Sequence, residues 1–215
     1  MSFKVLNLYA GIGGNRKLWE DVTVTAVEYN PEIAAIYQEY FPNDTVIIAD
    51  AHEYLLQHYK EFDFIWASPP CQTHSRVRHM SKARFTPMYP DMKLWQEILF
   101  LKHHAPCPYA IENVIPYYDV FLPPTIEIDR HLFWSNFKVS VPQINKDRPN
   151  IKNMKGTDSN YGFNLNGKGI KHRKDQILRN LVNPEIGLAI LDQVRGIKRN
   201  SKLKQISILD VADGA

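Results

Sequence analysis

The chain has only two cysteines, Cys71 and Cys107, in 215 residues. Two are too few for a disulfide framework and lack the spacing of a metal site, so free thiols in a reducing compartment are expected and a zinc centre is not. No apolar run approaches membrane-spanning length. Met1-Ser2-Phe3-Lys4 runs straight into a strand pattern without a signal-peptide layout, so the expected location is cytoplasmic, with no membrane partner. There is no internal repeat. Charge of one sign is also scarce: a formal net charge of +3 is too small to mark a nucleic-acid binder by itself. With 44% hydrophobic and 23% charged residues, the composition is that of an ordinary globular protein. The length suits one α/β core and is short for two, so residues 1–215 are read as a single domain.

What charge there is lies unevenly. Between Gln72 and Arg84 the charged residues are Arg76, Arg78, Lys82 and Arg84, with no acid among them. Between Lys146 and Lys174 six lysines and two arginines face two aspartates. Either run alone reads as a solvated surface; two of them, one beside Cys71, favour a cleft lined for phosphates.

Apolar runs alternate with helical patterns through the first half, which predicts a mostly parallel sheet covered on both faces. Lys4 to Tyr9 reads as a buried strand, and Ala10-Gly11-Ile12-Gly13-Gly14 follows as a tight turn before a helix from Asn15 to Trp19. Val22 to Val27 is a second strand, ended by Glu28 and followed by a helix that Pro31 starts. An acid there, some twenty residues past the glycines, suits ribose hydroxyls. Thr45 to Ala49 is a third strand, with Asp50 at its end as a helix cap. Phe62 to Ala67 is a fourth, running into Ser68-Pro69-Pro70-Cys71-Gln72. Two prolines cannot continue a ladder, so the chain leaves the sheet and presents Cys71 at the strand's carboxyl end, where open α/β sheets keep their ligands. A lone cysteine is most often a small core hydrophobe, and its surroundings have to decide otherwise.

Gln72 to Pro90 reads as a long loop over that site. Asp91 to His104 has helical spacing in Leu94, Trp95, Ile98 and Leu101. Pro108 to Ile111 is a fifth strand, ending in Glu112-Asn113-Val114, and His131 to Val141 reads as an antiparallel pair at the edge. Asn145 to Lys174 is loop-dominated, a helix begins at Pro184, and the end of the chain is frayed and basic. Gly11, Gly13, Gly14, Glu28, Asp50, Cys71 and Glu112 then converge on one edge of the sheet. A thiol beside a carboxyl group, next to a nucleotide-like pocket, is equipment for covalent catalysis on an electron-poor ring.

These motifs resemble the cytosine-5 DNA methyltransferase family. Asn7-Leu8-Tyr9-Ala10-Gly11-Ile12-Gly13-Gly14 is similar to its first motif, with Tyr9 where Phe is usual. Pro69-Pro70-Cys71-Gln72 is similar to the catalytic motif and Glu112-Asn113-Val114 to its partner. Arg130-His131-Leu132-Phe133-Trp134 resembles the strand with an Arg-x-Arg pair; Asp129 and His131 align with that pair and Arg130 is displaced by one, so either Arg130 or His131 could take the role. Asn180-Leu181-Val182-Asn183-Pro184 resembles the closing motif. The resemblance implies a Rossmann-like S-adenosylmethionine-dependent fold, with a mostly parallel sheet, an antiparallel edge and helices on both faces. It implies a cofactor pocket from Tyr9, Ala10, Gly11, Gly13, Gly14, Glu28, Tyr29, Asp50, Ala51, Pro70, Asn180 and Val182. Catalysis falls to Cys71, which attacks C6 of a flipped cytosine, and to Glu112 at N3, with His131 and Arg130 beside them. A thiol needs positive surroundings to ionise, and Arg76, Arg78 and His131 are expected to supply them.

The partner implied is double-stranded DNA, contacted through Gln72, Ser75, Arg76, Arg78, Lys168, Lys171, Arg173 and Lys174. Family members usually carry a large target-recognition region, whereas here 138–179 is all the chain has, so recognition is expected to be short. His74 stands where a Phe is common. Two other functions compete: methylation of RNA cytosine, and a non-catalytic cofactor-binding partner of a larger enzyme. Intact Cys71 and Glu112 argue against the latter.

Overall fold

In a computed structural model, which describes residues 2–76, 80, 86–141, 161–171 and 173–198, the chain forms one seven-stranded sheet. The strands are β1 (Phe3–Leu8), β2 (Val22–Glu28), β3 (Thr45–Ile48), β4 (Phe64–Ala67), β5 (Tyr109–Val114), β6 (Ile126–Ile128) and β7 (His131–Ser135). Their spatial order is β3-β2-β1-β4-β5-β7-β6. The first five are mutually parallel, and β7 runs antiparallel to both β5 and β6. Strand order reverses between β1 and β4, so the turns leaving those two strands diverge and open a crevice at the carboxyl edge.

Among the described residues, the helices seen from end to end are α1 (Pro31–Tyr40), α2 (Ala51–His58), α3 (Lys93–His104), α4 (Lys174–Arg179) and α5 (Pro184–Arg195). Local chemistry sets their starts. Asn30 caps α1 by accepting from the Glu32 and Ile33 N–H groups, with Pro31 in the first turn, and Asn183 with Pro184 does the same for α5. Gly196 ends α5 with φ 68°, a left-handed stop that glycine tolerates. Period-two alternation divides the strands between two cores. Leu6, Leu8, Ile65, Ala67 and Ile111 face α2 and α3, while Val5, Phe64, Trp66, Ala110 and Phe133 face α5 and Trp19.

Three expectations need correction. No helix follows the glycine turn: 14–18 is a run of tight turns, with the Trp19 N–H on the Arg16 carbonyl at 3.0 Å. Asn15 turns inward to bond Asn7 at 2.8 Å, and the Trp19 ring is drawn between Phe64 and Trp66, so tertiary contacts override a weak local preference. The strand that pairs with His131–Ser135 precedes it, as β6, and β7 lies inside the sheet with β6 at the edge. A short helix, α4, follows the segment read as loop, at Lys174–Arg179, where no element was expected. The Arg78 position, most of the basic segment (142–160 and 172) and the chain end from 199 lie outside the described residues.

The turn at 14–18 lies against α5 so closely that a Cβ on Gly187 would stand 2.2 Å from the Asn15 carbonyl oxygen. Gly187→Ala is therefore expected to lower stability by about 2 to 3 kcal/mol through overpacking. Gly169→Ala, with nothing within 4 Å of the added carbon, is the control with little effect. Urea denaturation of the two variants compares them directly.

Candidate active site

The chain bends sharply as it leaves β1. Tyr9 and Gly11 take φ 55° and 56°, which directs the Gly11 N–H back onto Glu28 Oε2 at 3.0 Å. Glu28 Oε1 accepts from the Asn30 N–H at 2.9 Å, so the carboxylate at the end of β2 is fixed by two backbone donors. A Cβ on Gly11 would meet nothing within 4 Å: the backbone there faces open space. Gly14 is tight for a different reason, since a Cβ would sit 2.7 Å from the Val182 carbonyl oxygen. That close approach joins the Asn180–Val182 segment to the glycine turn.

On the other side of the crevice, Cys71 follows the two prolines and begins a turn, its carbonyl accepting from the N–H groups of His74 and Ser75 at 3.0 Å each. Asn113 reaches across from β5 and donates Nδ2 to the Pro69 carbonyl at 2.9 Å. This bond links the loop carrying Cys71 to the strand carrying Glu112. Glu112 lies within β5, opposite Phe133, and His131 pairs with Val114 two residues along. On an antiparallel pair that places Glu112 and His131 as diagonal neighbours on one face, with Nε2 3.4 Å from Glu112 Oε1. Arg130 sits in the exposed β6–β7 turn and donates to the Arg179 carbonyl at 3.1 Å.

These parts line one cavity of about 540 Å³. Of the residues expected to bind cofactor, Tyr9, Ala10, Gly11, Gly14, Glu28, Tyr29, Asp50, Ala51, Pro70, Asn180 and Val182 lie on its wall, as do Cys71, Glu112, Arg130, His131, Gln72 and Ser75. Gly13 does not; it lies beneath the Phe41 ring. Arg76 is tied by Nε to the Pro116 carbonyl at 2.9 Å. Lys168 pairs with Glu39, Arg173 with Asp175 at 2.7 Å, and the Lys171 N–H donates to Glu32 at 3.1 Å. These and Lys174 stand away from the cavity. Sequence reasoning missed Lys93, which lines it and bonds Asp50 Oδ2 at 2.8 Å, and Glu97, discussed below. A charged residue on the apolar face of a predicted helix was the available signal for Glu97.

The electrostatics correct one expectation. Burial, and then the Glu112 carboxylate, push the Cys71 thiol up to about 11, and the opposing cation is Arg130; neither Arg76 nor His131 contributes among the causes. The thiol is therefore protonated at neutral pH. Lys93 holds the Asp50 carboxyl below its usual range, so Asp50 stays ionised, capping α2 through the His52 N–H at 2.8 Å as well. His74 is buried, its Nδ1 2.6 Å from the Tyr118 hydroxyl, and burial lowers its pKa. It pegs the turn after Cys71.

The glycine end fits the adenosine part of S-adenosylmethionine: open space above Gly11, an anchored carboxylate at Glu28 for a ribose diol, a second at Asp50 for an amino group, and the largely exposed Tyr29 ring beside them. Among the described residues, no group of three His, Cys, Asp or Glu side chains could hold a metal ion, and no helix is long and apolar enough to cross a membrane.

Residues 3–115 match the family described as C-5 cytosine-specific DNA methylase. Over 83 residues the chain is 34% identical to a tRNA (cytosine(38)-C(5))-methyltransferase of Spodoptera frugiperda, a stretch that is 35% of this chain and 25% of that protein. Among solved structures, a mutant of Spodoptera frugiperda DNMT2 is 24% identical with TM-score 0.37, covering 53% of this chain and 36% of that one. A putative DNA modification methyltransferase from an Escherichia coli prophage is 20% identical with TM-score 0.36, covering 55% and 34%. The chain thus spans about a quarter to a third of the length of these relatives.

A thiol held near 11 has a very small thiolate fraction at neutral pH, so iodoacetamide should alkylate Cys71 about a hundredfold more slowly than free cysteine. Cys107, also pushed up to about 11 by burial, should be similarly slow. Mass spectrometry of the intact chain against time and pH measures both, and labelling at the free-cysteine rate at pH near 7 would contradict the assignment.

Proposed function

From a chain that belongs to the C-5 cytosine-specific DNA methylase family, matched over residues 3–115, we propose a single-domain enzyme that methylates C5 of an extruded cytosine, with 138–179 as a reduced target-recognition insert. The observation that carries this reading is that Cys71 and Glu112 line the same cavity as the glycine turn, their two segments joined by the Asn113 to Pro69 hydrogen bond. S-adenosylmethionine, the cofactor of the family, supplies an electrophilic methyl group for C5.

The chain's own residues do the rest. Sγ of Cys71 forms a bond to C6 of the base as the thiol proton leaves. Glu112 donates a hydrogen bond or proton at N3, which moves electron density from the C5–C6 double bond onto C5. After C5 is methylated its proton passes to water, and the electron pair left behind re-forms the C5–C6 double bond as the C6–Sγ bond breaks. The sulfur regains from solvent the proton it gave up, and N3 returns any proton to Glu112. His131, 3.4 Å from Glu112 Oε1, orients the carboxyl group, while Arg130 favours the thiolate. The resting thiol is protonated, so ionisation has to follow entry of the substrate.

Duplex DNA is the substrate we favour, since the family description names DNA. RNA is the second reading, supported by the similarity to a tRNA methyltransferase. Tritiated S-adenosylmethionine offered with duplex DNA, with tRNA and with no nucleic acid separates them: label in the DNA alone is expected, and label in tRNA alone would overturn that choice. Cys71→Ser should abolish transfer and leave cofactor affinity unchanged, and Glu112→Gln should lower kcat by about 10² to 10⁴. A duplex with 5-fluorocytosine at the target should trap a denaturant-stable adduct. Turnover without any adduct would refute attack by Cys71.

A further inference from the structure

Tyr9 is a non-glycine residue in left-handed backbone, φ 55°, a conformation that persists only when its surroundings over-determine it. Tyr9 lines the cavity, and its hydroxyl donates to Glu97 Oε1 on α3. His52 Nδ1, from the first turn of α2, lies 2.8 Å from that same oxygen. One carboxylate oxygen therefore ties together three elements around the cofactor end of the cavity: the exit of β1, the start of α2 just after Asp50, and α3. Glu97 is 1% exposed, and its Oε2 has no hydrogen-bond partner among the described residues. It occupies the inward face of α3 with Leu94, Ile98 and Leu101, where leucine would satisfy packing without the cost of burying a charge.

We propose that Glu97 is a positioning residue for the S-adenosylmethionine pocket, holding the Tyr9 wall against the Asp50 end of α2, and that it couples cofactor affinity to the protonation of His52. The charges around the pair support the direction of the coupling. Burial raises the Glu97 carboxyl above its usual range, with Asp91 adding to the rise and His52 and Tyr9 opposing it. The bond to Glu97 raises His52, with Asp50 assisting and Lys93 opposing. The imidazolium thus offsets the buried carboxylate on the acid side of the His52 titration. As pH rises through the raised pKa of His52 the cation is lost, the clamp weakens, and cofactor affinity falls.

This rests on the reading of the cavity as the S-adenosylmethionine site, and the test separates the two. S-adenosylmethionine titrated calorimetrically into the full chain should bind about fivefold more weakly at about pH 8.5 than at about pH 6.5. By reciprocity, the cofactor should raise the pKa of His52 in a histidine NMR titration. Glu97→Gln keeps the shape and an acceptor for Tyr9 but removes the charge, so it should bind more weakly and lose the pH slope. His52→Asn, at a partly exposed position, should lose the slope and bind at both pH values about as weakly as the wild type does at about pH 8.5, and it carries the test if Glu97→Gln fails to fold. A wild-type affinity that is flat with pH, or a slope that survives His52→Asn, overturns the proposal and leaves the cofactor reading standing. No binding by the wild-type chain at either pH would overturn the cofactor reading itself.

Discussion

Two prolines just past the end of β4 remove two backbone donors where the chain leaves the sheet, and the crevice is built on how the carbonyls of that turn are satisfied. A buried carbonyl without a partner is costly. The Pro69 carbonyl takes the Asn113 side chain, and the Cys71 carbonyl takes two N–H groups of the following turn. Every donor used comes from a segment that also bears on the chemistry. Asn113 adjoins Glu112, and His74, which supplies one N–H, is pegged in turn by Tyr118 beyond β5. The thiol and the carboxyl group are thus placed by one hydrogen-bond ledger, and neither segment can shift without exposing the other.

The same enclosure sets the protonation states. Burial makes Cys71 a poor thiolate at rest, and the neighbouring Glu112 adds to the rise. Burial and ready ionisation pull against each other, and here burial wins in the absence of substrate. On the cofactor side the balance is opposite: two backbone N–H groups fix Glu28 in place, and Lys93, with the His52 N–H assisting, holds the Asp50 carboxyl below its usual range. Acceptors are kept ready at one end of the cavity, and a nucleophile is kept silent at the other.

The sequence made the parallel core legible because β2, β3 and β4 are short apolar runs that end at or lead into a residue of the candidate site: Glu28, Asp50, Cys71. Glu112 belongs to β5 itself, and the two-residue period then carries Val114 onto His131 of β7, a pairing invisible without the register. β6 escaped notice because Ile126–Ile128 is only one alternation long, too short to stand out from a loop. The helix expected at Asn15 failed because Asn15 and Trp19 find better partners in the core than in a first helical turn. Glu97 was hidden in plain view: it lies three residues past Leu94 and four before Leu101, on the apolar face of α3, where a charged residue is itself a statement about what lies beneath.

In the described part of the 138–179 segment, two of the basic residues are held by acids. Lys168 is held by Glu39 and Arg173 by Asp175, which Arg179 also approaches at 3.3 Å. A lysine or arginine with a tethered acid must give up that partner to take a phosphate, and the acid left behind repels the same phosphate. The net attraction is then less than formal charge suggests, and the release of small counterions that usually drives binding is diminished. Arg76 and Arg130 differ: among the described residues each donates to a backbone carbonyl, which leaves the guanidinium charge uncancelled. Arg130 is on the cavity wall, whereas Arg76 is off it and follows Ser75, which lines it. A nucleic-acid strand delivering a base to Cys71 would meet those two cations first. On the function proposed above, Arg130 would serve twice, steadying the strand and favouring the thiolate.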